Sequence, residues 1–274
     1  MIRCETQHGW WLIPQSDHAH LAAAFAREWG NSDFRSPEPR TRILRAINSL
    51  EDGWLERDAA PTLAADGRPA AFAVAELGRS LSWDTIDLES YLNLRAHAVR
   101  IVAGEEDAYA ALLIALYNED HLTRLIRRED LTPQQLTMLD RFLHEEDSFQ
   151  QQLLALIEDD AFLTTREKQQ ETIQENFRLL LGCQYLSLLA CLAADRPSPL
   201  PYPLALRSGG SATIHVRPLA PRQFQLAPWP FAAPELRLEF PARLIIGHVF
   251  TTQESFRETF MQAPTEILSV RLSG

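Results

Sequence analysis

The sequence is short of cysteine, of basic residues and of long apolar runs, and each shortage excludes a class of protein. Its three cysteines, Cys4, Cys183 and Cys191, have neither the spacing of a zinc site nor that of a disulfide framework. Lys and Arg total 26 against 37 for Asp and Glu, which gives a formal net charge of −11. This balance argues against binding to nucleic acid or to an anionic membrane. The cysteine pattern predicts a reducing compartment, and we expect a cytoplasmic protein.

No segment has the length and apolarity that a membrane span requires. The longest apolar stretch, residues 179–194, is interrupted by Gln184, Tyr185 and Ser187, so it predicts a buried core helix. Residues 1–15 also lack the apolar core of a secretion signal. Hydrophobic residues make up 46% of the 274 residues, enough for the core of one large domain or of a domain with an appendage.

The familiar catalytic motifs are also missing. There is no Gly-rich phosphate loop, no nucleophile elbow, no HExxH zinc motif and no Cys–His pair. Any site must therefore be sought among polar residues that face the core.

Hydrophobic periodicity and capping residues predict a mainly helical α+β protein. Residues 1–15 predict a β-hairpin, and Thr132 with Gln135 forms a capping box that opens a helix. Thr164 with Glu167 forms a second capping box, which predicts a long helix to about residue 194.

On this basis the chain divides into four parts. They are an N-terminal hairpin at 1–15, a helical domain at 16–195, a proline-rich linker at 196–210 and a β-rich unit at 211–274. Further helices are predicted at 16–29, 40–52, 88–103, 108–118 and 253–262, and a long loop at 55–87. Gly53 is predicted to end the second helix in a left-handed conformation. Because an isolated hairpin is marginal in water, we expect residues 1–15 to pair with the C-terminal strands.

Helical geometry places one polar residue on the apolar face of each of four predicted helices. These residues are His18, Glu51, Asn118 and Gln184. Asp52 turns toward the end of its helix. His121 follows Asn118 by three residues. Two predictions are open for it: the side chain reaches the same site as Asn118, or it lies at the surface. Two explanations stay open: the polar groups share a site, or they are satisfied core residues, with Glu51 and Asp52 as a solvated helix end.

Five segments in a fixed order carry a resemblance to a known family. They are "LIPQSDHAHLAAAFAREWG", "AINSLEDGWLERDAAPTL", "YAALLIALYN", "ENFRLLLGCQYLSLLACL" and "LAPWPF". In this order they resemble an uncharacterised bacterial family, the domain-of-unknown-function family 3891. That family is in turn similar to the histidine–aspartate (HD) hydrolases, which are helical, metal-dependent phosphohydrolases. Their ligands are dispersed His and Asp residues, and the implied chemistry is attack of metal-activated water on a phosphoester.

The resemblance implies a metal site whose ligands are partly lost. His18 matches a family histidine, Glu51 stands where the family has an aspartate, and Asp52 keeps a second acidic position. The lost ligand positions are Leu50 and Asn118, each in place of a histidine, and Gln184 or its neighbour Tyr185 in place of an aspartate.

The resemblance further implies an HD-like helical domain with a degenerate metal site. We expect a non-catalytic or weakly active protein that binds a small anionic or phosphorylated ligand, or a partner. It is expected to hold no metal or a weakly bound divalent one, Mn²⁺, Fe²⁺, Mg²⁺ or Zn²⁺. The alternative is a working metal-dependent phosphohydrolase that uses His18, Glu51 and Asp52 with waters, and His121 as an auxiliary group. We also expect a direct hydrogen bond or ion pair between His18 and Glu51, and a structural Trp54 that becomes a ligand contact if it lines an open pocket.

Overall fold

In the computed structural model, which describes residues 1–71, 86–128 and 131–274, the chain folds as an α+β protein. The helices are α1 (Gln15–Glu28), α2 (Arg40–Ser49), α3 (Leu55–Ala59), α4 (Leu88–Gly104), α5 (Ala108–Arg128), α6 (Pro133–Asp159), α7 (Gln170–Cys191) and α8 (Gln253–Gln262). The predicted combination of a helical body with a β-rich remainder is confirmed. Most of the predicted loop at 55–87 lies outside the described residues.

The N-terminal hairpin and the C-terminal strands form one sheet. The strands are β1 (Ile2–Glu5), β2 (Gly9–Ile13), β3 (Ser198–Pro199), β4 (Leu204–Ala205), β5 (Ser211–Ala212), β6 (His215–Ala220), β7 (Gln223–Ala227), β8 (Glu235–Ile246) and β9 (Thr265–Ser273). Within the described residues the sheet order is β1-β2-β8-β9-β7-β6-β3, and β4 pairs with β5. Because β2 runs antiparallel to β8, with Gly9 opposite Ile246, the predicted pairing of the hairpin is confirmed.

The two capping boxes both form, but only one opens a helix. Thr132 Oγ1 accepts a hydrogen bond from the backbone N–H of Gln135, whose side chain accepts from the Thr132 N–H, directly before α6. Thr164 and Glu167 make the same reciprocal bonds, yet α7 begins only at Gln170. The predicted start at Thr164 is wrong. A capping box satisfies the backbone N–H groups of a single turn, whereas extension of a helix depends on the packing of the apolar residues that follow.

Gly53 has a different role from the one predicted. Helix α2 ends at Ser49, and Gly53 lies in a short 3-10 turn, Asp52–Trp54, without a left-handed backbone. A Cβ atom on Gly53 would lie 2.2 Å from the carbonyl oxygen of Leu94 in α4. Glycine is therefore required at this position because the turn approaches the backbone of α4 closely.

Helix α7 forms the centre of the main core. Its residues from Leu179 to Cys191 are all buried, and the helix packs against α1, α2 and α5. A second, smaller core contains Trp54, Tyr91 and Leu139. The prediction of a buried core helix is confirmed. In the part of the chain that the structure describes, no helix is long and apolar enough to cross a membrane.

Candidate functional site

A buried arginine of α4 connects the turn after α2 to α5. Arg95 Nη1 donates to Oε2 of Glu51 over 2.9 Å, and Arg95 Nε donates to Oδ1 of Asn118 over 3.0 Å. The amide nitrogen of Asn118 donates in return to the Arg95 carbonyl oxygen, also over 3.0 Å. All three side chains are buried. The inward positions predicted for Glu51 and Asn118 are confirmed, but the residue that joins them was not among the predicted site residues.

The sequence does carry a signal for Arg95. It follows Tyr91 by four residues and Leu92 by three, and both are buried residues of α4. Residues three and four apart lie on one face of a helix, so Arg95 belongs to the apolar face. Arginine is almost never fully buried unless it is paired, and this position therefore predicts a buried acidic partner.

The charges of Glu51 and Arg95 depend on each other. Burial raises the pKa of Glu51, and the guanidinium of Arg95 opposes this shift. Burial by itself would lower the pKa of Arg95, but the neighbouring carboxylate of Glu51 raises it on balance. Because the two atoms lie 2.9 Å apart, we assign the pair as an ion pair with Arg95 positively charged.

Two charged groups at this centre have atoms without a hydrogen-bond partner. They are Nη2 of Arg95 and Oε2 of Glu146 in α6, and neither atom has a partner among the described residues. The side-chain amide of Asn118, which bonds to Arg95, also lowers the pKa of Glu146. Burial raises the pKa of Glu146 to about 7, against the opposing effects of Arg100 and Asn118. We call Glu51, Arg95, Asn118 and Glu146 the polar centre.

The polar centre meets the surface at Glu146. This residue lines an open cleft of about 440 Å³, together with Arg100, Phe142 and Phe149. The aromatic residues Phe142 and Phe149 lie four residues before and three residues after Glu146, on the same face of α6. Glu146 is thus the member of the polar centre that lines this cleft, although its partnerless Oε2 atom is itself buried.

A tyrosine and a histidine lie close to Arg95. The hydroxyl of Tyr91 lies 2.6 Å from Nε2 of His121, whose ring stacks on Tyr117 at a centroid distance of 6.0 Å. Burial first, and the positive charge of Arg95 second, lower the pKa of His121 to about 3. His121 is therefore neutral, and Tyr91 donates its hydroxyl hydrogen to it. Trp54 is buried and packs on Tyr91 at 6.0 Å, which agrees with a structural role.

His18 has a partner other than the one predicted. Its Nδ1 lies 2.8 Å from Ser187 Oγ, and the Ser187 hydroxyl donates to the His18 carbonyl oxygen over 2.7 Å. Because the only hydroxyl hydrogen of Ser187 is used in that bond, Oγ acts as the acceptor toward His18. The hydrogen of the neutral ring therefore lies on Nδ1, which donates it to Oγ. Burial lowers the pKa of His18 to about 3, which keeps the ring neutral. The predicted direct contact between His18 and Glu51 is wrong, because packing gives each side chain another partner.

The remaining predicted site residues do not join the polar centre by any hydrogen bond in the described part of the chain. Leu50 is buried in the main core, and Asp52 is half-buried in the 3-10 turn. Gln184 is buried on α7, and neither atom of its side-chain amide has a hydrogen-bond partner among the described residues. Its neighbour Tyr185 is buried in the main core.

The donor set does not fit a divalent metal. Among the described residues, no group of three or more His, Cys, Asp or Glu side chains is placed to hold one. Glu51 is engaged by a guanidinium and Asn118 is a neutral amide, whereas the neutral ring of His18 bonds to Ser187 through Nδ1 and keeps a lone pair on Nε2. Divalent metals prefer several anionic or imidazole ligands directed at one point, and in the described part of the chain these three positions offer one imidazole nitrogen and one carboxylate that is already paired.

The chain matches a known protein family over most of its length. A family described as "Protein of unknown function (DUF3891)" matches residues 1–246. No curated protein and no solved structure matches the chain.

Proposed function

We propose that this chain, which belongs to the DUF3891 family of proteins of unknown function, is a non-catalytic protein that binds a small anionic ligand. In this proposal the helical domain is HD-like, and Arg95 stands where an HD hydrolase holds its metal.

One observation carries the proposal: Arg95 bonds to both Glu51 and Asn118. The resemblance to HD hydrolases assigns metal ligands to these two positions, and here they share a guanidinium. A divalent ion placed about 5 Å from this charge would be repelled by roughly 7 kcal/mol at an effective dielectric constant of about 20. The arginine supplies the positive charge that the surrounding oxygens need, and it opposes the entry of a metal.

The free hydrogens of Arg95 support an anionic ligand. Nη2 has no hydrogen-bond partner among the described residues, although a buried donor normally has one. Around it, His121 is neutral and the pKa of Glu146, raised to about 7, favours the protonated form below neutral pH. An anionic oxygen can therefore accept a short, charge-assisted hydrogen bond from Nη2, while protonated Glu146 donates to the same ligand.

The test uses inorganic phosphate as the probe. Titration calorimetry at constant ionic strength compares the wild type with the double variant Arg95→Met and Glu51→Gln, which removes both charges and leaves no unpaired ion in the core. The matched control is Arg257→Ala, an exposed arginine of α8. We expect phosphate to bind the wild type and the control, and not the double variant.

Metal content separates this proposal from the working phosphohydrolase. Protein purified without chelator is expected to hold much less than one metal ion per chain and to leave p-nitrophenyl phosphate unhydrolysed. A full equivalent of metal together with hydrolysis would overturn the proposal in favour of metal-dependent chemistry at His18, Glu51 and Asp52.

A further inference from the structure

A second cleft, of about 280 Å³, lies beside the N-terminal end of α7 and shares no residue with the polar centre. Four separate parts of the chain form its walls: the loop before α2, the turn before α7, the first turns of α7, and the segment that begins at β4. Its volume is near the lower end of small-molecule sites, which span roughly 300–1,000 Å³.

Side-chain hydrogen bonds hold these walls in fixed positions. Arg35 Nη1 lies 3.0 and 2.9 Å from the two carboxylate oxygens of Glu175. Asn176 Nδ2 donates to the backbone carbonyl of Glu38 over 2.8 Å. Arg207 Nε donates to backbone carbonyl oxygens of the loop before α2, the closer at 2.7 Å. A ligand would thus meet a cleft whose shape is already formed.

Three charged groups of the cleft remain without a partner among the described residues. They are the guanidinium of Arg166, the two Nη atoms of Arg207 and the carboxylate of Glu38. The other carboxylates are engaged: Glu175 pairs with Arg35, and Glu167 accepts from the backbone and hydroxyl of Thr164. The unpaired groups are therefore two cations and one anion.

We infer that this cleft binds a small ligand with two carboxylates and one ammonium group, which is the chemistry of an acidic amino acid. The planar guanidinium matches a carboxylate in a bidentate geometry, so Arg166 and Arg207 each take one carboxylate. Glu38 takes the ammonium group. A dianionic phosphate is a poorer fit, because it would leave Glu38 unmatched and repelled.

Titration calorimetry at constant ionic strength, with three ligands as probes, tests this charge pattern. Two of the probes each lack one charged group of the third. L-glutamate has all three groups, glutarate lacks the ammonium, and L-glutamine lacks the side-chain carboxylate. We expect L-glutamate to bind, and each of the other two to bind about tenfold or more weakly, as the loss of one charged hydrogen bond implies.

Two variants test which residue binds which charged group of L-glutamate. Arg166 is exposed, so Arg166→Ala leaves the fold intact. This variant should bind L-glutamate about tenfold or more weakly than the wild type does. Glu38→Gln should lower the affinity for L-glutamate and should not lower the affinity for glutarate. A folding defect would lower both affinities. Arg257→Ala is the control and should bind L-glutamate like the wild type.

The results that would overturn the inference are equally specific. They are no heat with L-glutamate, equal affinity for glutarate and L-glutamate, or unchanged L-glutamate binding in Arg166→Ala. The double variant Arg95→Met and Glu51→Gln should keep L-glutamate binding, so failure at this cleft and failure at the polar centre are told apart.

Discussion

The guanidinium of Arg95 donates to the carboxylate of Glu51 over 2.9 Å, and the two side chains expose only 4% and 6% of their area. Taking both charges out of water is unfavourable, and their attraction offsets that cost only in part. Such a pair contributes little to the free energy of unfolding as a whole. Each partner nevertheless depends strongly on the other, because its loss leaves an unpaired buried charge.

The first prediction concerns this dependence. Arg95→Met and Glu51→Gln as single variants should each lower the free energy of unfolding by about 3–5 kcal/mol, whereas the double variant should lie much closer to the wild type. Urea unfolding of the four proteins measures the coupling. Effects that simply add would contradict the ion pair.

Sequence periodicity predicted which polar residues face inward, but not which of them meet. Asn118 and His18 are buried as helical spacing requires. Glu51 is buried as well, but α2 ends at Ser49 and Glu51 lies in the turn that follows, so its burial does not come from helical spacing. Their partners depend on which helices pack together, and a single sequence does not contain that information. The sequence did not predict a buried Arg95, because a lone arginine in a helix is usually at the surface. Its place on an apolar face was the available signal.

The β-rich part shows a similar limit. The sequence predicted a β-rich unit at 211–274 with a helix at 253–262, and the structure confirms both. It did not predict the strand β7, because a strand as short as this one, with five residues, shows too little alternation to be located. Its place beside β9 is set by the parallel pairing, which is a tertiary contact.

The second prediction tests the close approach at Gly53. Gly53→Ala should lower the free energy of unfolding by about 2 kcal/mol or more, because the added Cβ would meet the carbonyl oxygen of Leu94 at 2.2 Å. Gly104→Ala is the matched control, since a Cβ there meets nothing within 4 Å. The control should be neutral or stabilising by up to about 1 kcal/mol. Similar losses in both variants would mean that Gly53 is not packed against α4.

The third prediction uses the pKa of Glu146. Its folded-state value is raised from 4.5 to about 7, so between these pH values the folded protein holds a proton that the unfolded chain has released. The contribution of Glu146 to stability is therefore present below about pH 4.5 and is lost as the pH rises to 7, by roughly 3 kcal/mol at most.

Glu146→Gln isolates this effect, because glutamine does not titrate. The free energy of unfolding of the wild type, relative to that of the variant, should fall between pH 5 and 7 and level off above it. Glu145→Gln, at an exposed neighbour in the same helix, serves as the control. A constant difference between wild type and Glu146→Gln across this range would show that Glu146 is ionised throughout.

The last prediction tests whether the polar centre occupies a former metal site. The quadruple variant Leu50→His, Glu51→Asp, Asn118→His and Gln184→Asp restores the ligand types that the HD resemblance implies. With Arg95 retained, we expect it to bind Mn²⁺ or Fe²⁺ weakly, because the guanidinium repels the metal and competes for the carboxylate. With Arg95→Ala added, the five-fold variant should gain thermal stability when metal is supplied, since a ligand that binds only the folded state raises the melting temperature.

Melting curves of the wild type and both variants, with and without metal, measure this difference. An equal shift in the wild type would mean an intact natural site and a working hydrolase. No shift in the five-fold variant, provided that it folds, would mean that these positions do not converge on a metal and that the helical domain is not HD-like.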